Sequence, residues 1–349
     1  MIRAGECVGF GWRGNAIGEG ATMQVRMVRG FAILTMVLLA VAPVSADPSY
    51  PLEIVHAYGT TTITGQPERI ATVSWSNHEV PLALGVVPVG MAAANFGDDD
   101  GDGVLPWVTD RLAELGAETP MLFDEGDGID FEAVAATAPD VILAAHSGLS
   151  RQDYEILSQI APTIAFPHMP WTTRWREMIR MNSAGMGRPE AGEALIADLE
   201  AQITQAVAGT PALAGKSAIF VTHLDPTNLS RIPFYSDNDT RVAFLHDLGL
   251  VSPPLVQEIS ASGRFSGEVS AEQIDRLDGV DIVVTYGTDA LLEQLNTHVL
   301  TQRMPAISRG AVVLLPNDPL GTAASPSPLS IPYMLNQYVA RLAAAARAE

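Results

Sequence analysis

A segment that occurs twice, once in each half, limits this chain more than any other feature. It consists of a short approach, a helical turn carrying a glutamate, and a buried strand. The first copy runs from Asp130, Phe131 and Glu132 through Ala138, Pro139 and Asp140 into the apolar run Val141 to Ala145. The second runs from Val269, Ser270 and Glu272 through Leu277, Asp278 and Asp281 into Ile282 to Thr285. Short apolar runs bounded by turn formers predict strands covered on both faces. Two similar α/β lobes follow, each with a glutamate at a matching place. Two matched acidic points on one face suit docking on a two-fold partner.

The chain has 349 residues, enough for two domains with separate cores. Ile54 to Tyr58 and Thr60 to Ile63 alternate as a hairpin does, and Arg69 to Ser74 reads as the first buried strand. Strands then alternate with helices, which predicts mostly parallel sheets flanked by helices. Thr172 to Ala208 shows helical spacing, broken near Gly185 to Pro189, and Glu190 to Val207 is uninterrupted over about 27 Å. The expected organisation is an N-terminal lobe over 52–184, a stiff interlobe spine helix over 185–209 and a C-terminal lobe over 215–349. In the second lobe, the strand Ser217 to His223 is followed by what reads as a turn-rich loop through Pro233.

Forty acidic against twenty basic residues give a formal net charge of −20, a poor field for nucleic acid or anionic membrane surfaces. Residues 1–46 read as a signal peptide, with Met23 or Met27 as alternative starts. Arg26 and Arg29 precede the apolar stretch Phe31 to Ala42, and small residues at Val44 and Ala46 place cleavage before Asp47. The stretch is shorter than the roughly 20 residues a bilayer span needs. The one cysteine, Cys7, lies upstream of the cleavage point, so the expected mature chain has neither a disulfide nor a cysteine for lipid attachment. A soluble periplasmic monomer is the expectation.

No Gly-x-Ser-x-Gly and no His-Glu-x-x-His occurs, and the seven histidines are scattered. Asp98 to Gly103 approaches a calcium loop, but Thr109 stands where the bidentate glutamate belongs, which favours a solvated loop. Residues just beyond the carboxyl ends of parallel strands face the crevice where open α/β sheets bind ligands. Trp75, Asn77 and His78, then Asn95 and Phe96, then His146 and Ser147 hold such places in the first lobe. His223, Tyr235, Arg264, Phe265 and Tyr286 hold them in the second. Together they predict a cleft with aromatic faces, a few hydrogen-bonding groups and arginine. Of these, Trp75, Asn95, His146, Tyr235, Arg264 and Phe265 are the candidate ligand contacts.

Gln66 to Ala71, then His78, Glu79 and Leu82 to Val86, then Pro88, Val89 and Gly90 resemble the opening signature of periplasmic binding proteins for iron siderophores. Asp127 to Glu132 with Ala138 to Leu143 resembles the family again. So does Ser147 to Ser150 with Tyr154, Leu157, Ile160 to Pro162 and Pro170 to Thr172, and the ferric-hydroxamate branch is the nearest in kind. The resemblance implies two α/β lobes joined by a long rigid helix, little closure on binding, and delivery to the membrane permease subunits of an ABC importer. It implies that Glu132 and Glu272 meet arginines of those subunits. A ferric siderophore brings its own oxygen ligands, so no cofactor and no protein metal site is expected. The acidic field favours a neutral or cationic hydroxamate complex over catecholates or citrate. Alternatives are a cobalamin or haem binder of the same fold, with Tyr235 or His146 as haem ligand, and a secreted α/β hydrolase using the same cleft.

Overall fold

A computed structural model describes residues 50–225 and 228–348. The expected signal peptide lies outside the described residues. The first lobe opens with the antiparallel hairpin β1 (Leu52–His56) and β2 (Gly59–Ile63). It continues through β3 (Ile70–Thr72), α1 (Glu79–Ala83), β4 (Gly90–Ala92), α2 (Pro106–Glu114), β5 (Met121–Phe123), α3 (Phe131–Ala136), β6 (Val141–Leu143), α4 (Arg151–Ile160) and β7 (Thr163–Ile164). Helices α5 (Trp175–Gly185) and α6 (Pro189–Ala208) come next. The second lobe comprises β8 (Ala218–Val221), β9 (Arg231–Tyr235), α7 (Thr240–Asp247), α8 (Pro254–Ala261), β10 (Ser266–Ser270), a 3₁₀ segment (Ala271–Leu277), β11 (Ile282–Tyr286), α9 (Asp289–Thr297), α10 (Pro305–Ser308), β12 (Val312–Leu315), α11 (Pro319–Ala323) and α12 (Ser330–Ala346).

The first sheet is fully parallel in the order β5-β4-β3-β6-β7, and the second has the equivalent order β10-β9-β8-β11-β12. The lobes share a strand order but not every direction: β9 runs antiparallel to both β8 and β10. This corrects the reading of the segment through Pro233 as loop. Proline suppresses a strand signal because it cannot donate to a ladder, yet Pro233 sits opposite Glu268 in register. The central strands β3, β6, β8 and β11 are buried on both faces, as their continuous apolar runs require.

Helix α6 is about 30 Å long at 1.5 Å per residue over 20 residues. It buries the stripe Ile196, Leu199 and Ile203 and packs against α5 and α12. One apolar cluster runs from Ile70 and Leu143 of the first lobe through this stripe to Ile282 and Leu342 of the second.

Polar ties reinforce that continuity. The Glu79 carboxylate, fully buried, accepts from Trp107 Nε1 (3.0 Å), from Ser327 Oγ, and from the Leu329 and Ser330 N–H groups (3.0 and 3.3 Å). The N-cap residue of α12, Leu329, has no capping side chain, and Glu79 from α1 joins Ser327 Oγ, which accepts from the Ser330 N–H at 3.0 Å, in covering the helix start. The second tie is Gly97 N–H to Asn317 Oδ1 at 3.1 Å. Gly97 sits at φ +74°, and a Cβ there would overlap Thr322, so only glycine allows this close approach. In the third, Trp175 Nε1 (2.9 Å) and Arg176 Nη1 (2.9 Å) both donate to Asp247 at the end of α7.

Candidate functional site

The strand ends foreseen from the sequence converge on a cleft between the lobes. Its central chamber, of about 330 Å³, is walled by Trp75, Asn95, Phe96, His146 and Trp171 from the first half and by His223, Arg241, Phe265 and Tyr286 from the second. A second chamber of about 380 Å³ shares Trp75, Asn95 and Trp171 and extends along the first lobe. A third, of about 310 Å³, shares Phe96, His223 and Tyr286 and extends along the second, past Leu224, Ala290 and Leu291.

The first-lobe wall is built on a strained turn. Ser74 and Ser76, on either side of Trp75, both have left-handed backbone (φ 61° and 60°). Such residues persist only where surrounding structure over-determines them. The Ser74 N–H donates to both oxygens of Glu125 (3.0 and 3.1 Å). Buried Asn77 donates from Nδ2 to the Val73 and His146 carbonyls (2.8 Å each), and its Oδ1 accepts from His146 N–H and Asn182 Nδ2 (3.0 Å each). Asn77 thus binds the loop after β3 to the loop after β6, and sets Trp75 beside His146. Trp171 completes the wall from another left-handed position (φ 62°), with its ring edge-on to His146 at 5.6 Å. It lies so close over Gly148 that any Cβ there would overlap the indole.

His146 Nδ1 is 3.1 Å from the Thr173 carbonyl. That partner only accepts, so Nδ1 carries the proton and Nε2 is left as an acceptor. Burial pushes its pKa down to about 4, against smaller opposing effects of Asp239 and the Thr173 carbonyl, so the ring is neutral at physiological pH.

The second-lobe wall centres on Arg241, in the first turn of α7. The cap residue Asp239 is almost fully buried and accepts from Arg241 N–H (2.8 Å), Nε (2.9 Å) and Nη2 (2.6 Å). The guanidinium carbon lies 3.9 Å from the Tyr235 ring centroid, and Nη1 donates to Tyr286 Oη at 3.3 Å. Burial opposes this charge, but the Asp239 carboxylate outweighs it and holds the group well above the usual arginine value. Of the five N–H groups of an arginine side chain, Asp239 and Tyr286 take one each from Nε, Nη2 and Nη1, which leaves two. His223 stacks on Tyr286 at 4.6 Å, and burial, followed by Arg241, keeps its pKa low. Phe96 meets both rings edge-on at 5.9 Å from across the cleft.

Of the six candidate contacts, Trp75, Asn95, His146 and Phe265 line the central chamber. Tyr235 stands behind that wall, as the aromatic floor under Arg241 and edge-on to Phe265 at 5.7 Å. Arg264 does not come to the wall. It is exposed, and its backbone carbonyl, not its guanidinium, makes the bonds, accepting from Ser236 Oγ (2.6 Å) and Asn238 Nδ2 (3.0 Å). The arginine of the cleft is Arg241. A signal for it was present: a cation in the first turn of a helix opposes the helix dipole and calls for another reason to be there.

Glu132 and Glu272 are both exposed, each in the helical segment before the fourth strand, in chain order, of its five-stranded sheet, α3 before β6 and the 3₁₀ segment before β11. Asp98, Asp100 and Asp102 bring one carboxylate oxygen each within 4.8 Å of one another. Asp98 accepts from Gly101 and Gly103 N–H groups, and Asp102 from Val104. Among the described residues, no helix is long and apolar enough to cross a membrane.

Two sheets of one strand order, a rigid spine and a ligand cleft at the strand ends define an extracytoplasmic substrate-binding protein. The chain belongs to the periplasmic binding protein family, whose model matches residues 70–319. It is similar to PiaA of Streptococcus pneumoniae, solved in complex with ferrichrome, at 39% identity and a TM-score of 0.81 over 84% of this chain and 98% of PiaA. A periplasmic solute binding protein of Mycobacterium smegmatis superposes with a TM-score of 0.69 at 25% identity, covering 85% of this chain and 99% of that one. YfiY of Bacillus subtilis, named a probable siderophore-binding lipoprotein, is 25% identical over 235 residues, 67% of each chain.

Proposed function

We propose that this chain captures a ferric hydroxamate siderophore in the interlobe cleft and delivers it to an ABC importer for iron uptake. The observation that carries the reading is Arg241, a permanently charged guanidinium held in an aromatic box with two N–H groups to spare. Iron-bound hydroxamate oxygens are partly negative and need such donors, while the organic scaffold needs the faces of Trp75, Trp171, Phe96 and Phe265. The iron is cargo that arrives with its oxygen ligands, so the protein contributes neither cofactor nor catalysis. The complex of PiaA with ferrichrome and the siderophore-binding name of YfiY support the same cargo class.

Glu132 and Glu272 are the docking carboxylates in this reading, at equivalent places on the two lobes. With its only cysteine at position 7, the mature chain is released into the periplasm as a monomer, in contrast to a relative named a lipoprotein. N-terminal sequencing and detergent partitioning of the exported protein check this.

The deciding experiment titrates tryptophan emission with a panel of ferric hydroxamates, ferric citrate, haem and cobalamin. Saturable quenching by hydroxamates at one site per chain is expected, with far weaker responses to the others. Tight haem binding with a Soret shift, or cobalamin binding without hydroxamate binding, would overturn the reading. For docking, Glu132→Arg with Glu272→Arg should abolish uptake in cells while siderophore titration persists. Uptake at the wild-type rate would remove both residues from the permease interface.

A further inference from the structure

We propose that the first-lobe chamber is a subsite for a positively charged arm of the siderophore, with the Glu125 carboxylate as its counter-charge. This rests on the reading of the cleft as a hydroxamate site and adds to it a class of cargo: ferric hydroxamates that carry a protonated amine outside the iron core.

The two chambers meet at Trp75, Asn95 and Trp171, and their charges differ in sign. The central chamber is lined by Arg241 and its ion-pair partner Asp239, and of the two it is the arginine that is open to the space, at 19% side-chain exposure against 2% for the aspartate. The first-lobe chamber presents Glu125 and Asp153, and among the described residues no Arg, Lys or His lines it. Three hydroxamates cancel the charge of a ferric ion, so the core itself is neutral. Oriented dipoles around it suit Arg241, and an ammonium group would be repelled there. A ligand whose core sits against Arg241 and whose arm passes Trp75 and Trp171 reaches a carboxylate of the opposite sign.

Glu125 differs from an ordinary surface acid. It is partly buried in the chamber wall, and burial raises its pKa against the Ser74 hydrogen bond. Among the described residues, no cation lies within ion-pair distance of it. A single backbone N–H, that of Ser74, is shared between its two oxygens. A carboxylate has about four acceptor directions, so most of those of Glu125, which lines the chamber, have no donor among the described residues. A partly desolvated carboxylate without a cation is unfavourable unless something pairs with it, and the ligand is the available partner. Pinning Ser74 N–H would not by itself require a charge, since a glutamine carbonyl oxygen accepts equally well. Asp153 is partly committed to the capping box of α4, where it accepts from Ser150 N–H and Oγ. Arg151 is drawn off over the Tyr58 ring at 5.0 Å and leaves the chamber acidic. The third chamber has no such group, being walled by Leu224, Ala290, Leu291 and Gln294.

The test uses two ferric trihydroxamates that differ only at the end of one arm, a free amine in one and its N-acetyl derivative in the other. Each is titrated against the full-length mature protein and against Glu125→Gln. The wild-type protein should bind the amine form about tenfold tighter or more, with a preference that shrinks as salt is raised. In Glu125→Gln the ratio of the two affinities should fall to within about twofold. Equal wild-type affinities would overturn the proposal without reference to any variant. A preference that survives in a folded Glu125→Gln, checked by melting, would also overturn it. Failure of both ligands to bind the wild-type protein would instead refute the hydroxamate reading of the cleft and this inference with it.

Discussion

Replacing Arg241 tests the cleft most directly, and the geometry separates its effect on binding from its effect on folding. The guanidinium has two N–H groups beyond those engaged by Asp239 and Tyr286. Hydrogen bonds to a charged group contribute about 1.5 to 3 kcal/mol each. One or two of them directed at iron-bound oxygens amount to about 1.5 to 6 kcal/mol, or roughly 10- to 20,000-fold in affinity. Arg241→Gln also strands the Asp239 carboxylate, whose side chain is 2% exposed, without its cation. Breaking a buried pair from one side destabilises by about 3 to 5 kcal/mol. The double variant Asp239→Asn with Arg241→Gln removes that stranded charge. Asparagine caps a helix about as well as aspartate, so most of the stability should return while affinity stays low. Urea unfolding and fluorescence titration of wild-type, single and double variants provide the comparison. If the folded double variant bound within about threefold of wild-type, the guanidinium would not be a ligand donor and the assignment of the central chamber would fail.

Three further outcomes follow from the same contacts. Arg264→Ala should change siderophore affinity by less than about twofold, since its exposed side chain does not reach the cleft wall; a tenfold loss would reinstate it. Glu79→Ala leaves Trp107 Nε1, Ser327 Oγ and the Leu329 N–H without their acceptor, while the Ser330 N–H keeps Ser327 Oγ, so urea unfolding should show a loss of about 2 to 4 kcal/mol, and a loss below about 1 kcal/mol would deny the cap. Burial holds both His78 and His146 down to about 4, below the ordinary 6.5. With the folded pKa depressed, the unfolded chain binds more protons between these values, so their stabilisation is full above about pH 6.5 and is lost as pH falls toward 4. At about 1.4 kcal/mol per unit, each contributes on the order of 3 kcal/mol, and His78→Leu or His146→Asn should flatten the stability profile over that window.

What could be read from the sequence depended on how local each signal was. Val141 to Leu143 and Ile282 to Tyr286 are buried on both faces, so their apolar runs are unbroken and announce strands. The long helix α6 declared itself by the run Glu190 to Val207, which has no Gly or Pro after Gly192, while Pro189, read as part of the break before it, is the first residue of the helix. The antiparallel partners β9 and β10, separated by α7 and α8, did not, because RIPFY contains a proline and SGEVS is half polar. Their pairing is a tertiary fact in which Ile232 faces Val269. In the site, strand-end position found Trp75, Asn95, His146 and Phe265, since the fold itself brings strand ends together. Position failed for Arg264, whose loop turns its carbonyl inward to Ser236 and Asn238. It passed over Arg241, because helical spacing explains that residue as an ordinary surface arginine unless the dipole is weighed. Trp171 belonged to a segment already singled out, but its place in the wall depends on the bare backbone of Gly148, which no local pattern reveals.

The polarity of the cleft and the rigidity of the frame are connected. The apolar cluster through α6, the Glu79 cap on α12, the Gly97–Asn317 contact and the Trp175 and Arg176 bonds to Asp247 fix one lobe against the other at separate points. A cleft held in this way does not depend on closing to assemble its walls, so little binding energy is diverted into ordering them. Selectivity then falls on the groups that these contacts hold in place. Arg241 is fixed by Asp239 and Tyr235, Trp75 by the turn that Asn77 and Glu125 hold, and Trp171 by its seat on Gly148. With charges of opposite sign at the two ends of one aromatic-lined passage, a siderophore with a neutral iron core and a cationic arm has one favourable orientation. The reverse orientation sets ammonium against guanidinium. On this reading the orientation of the cargo is a property of the empty protein, set by Arg241 and Glu125 before the ligand arrives.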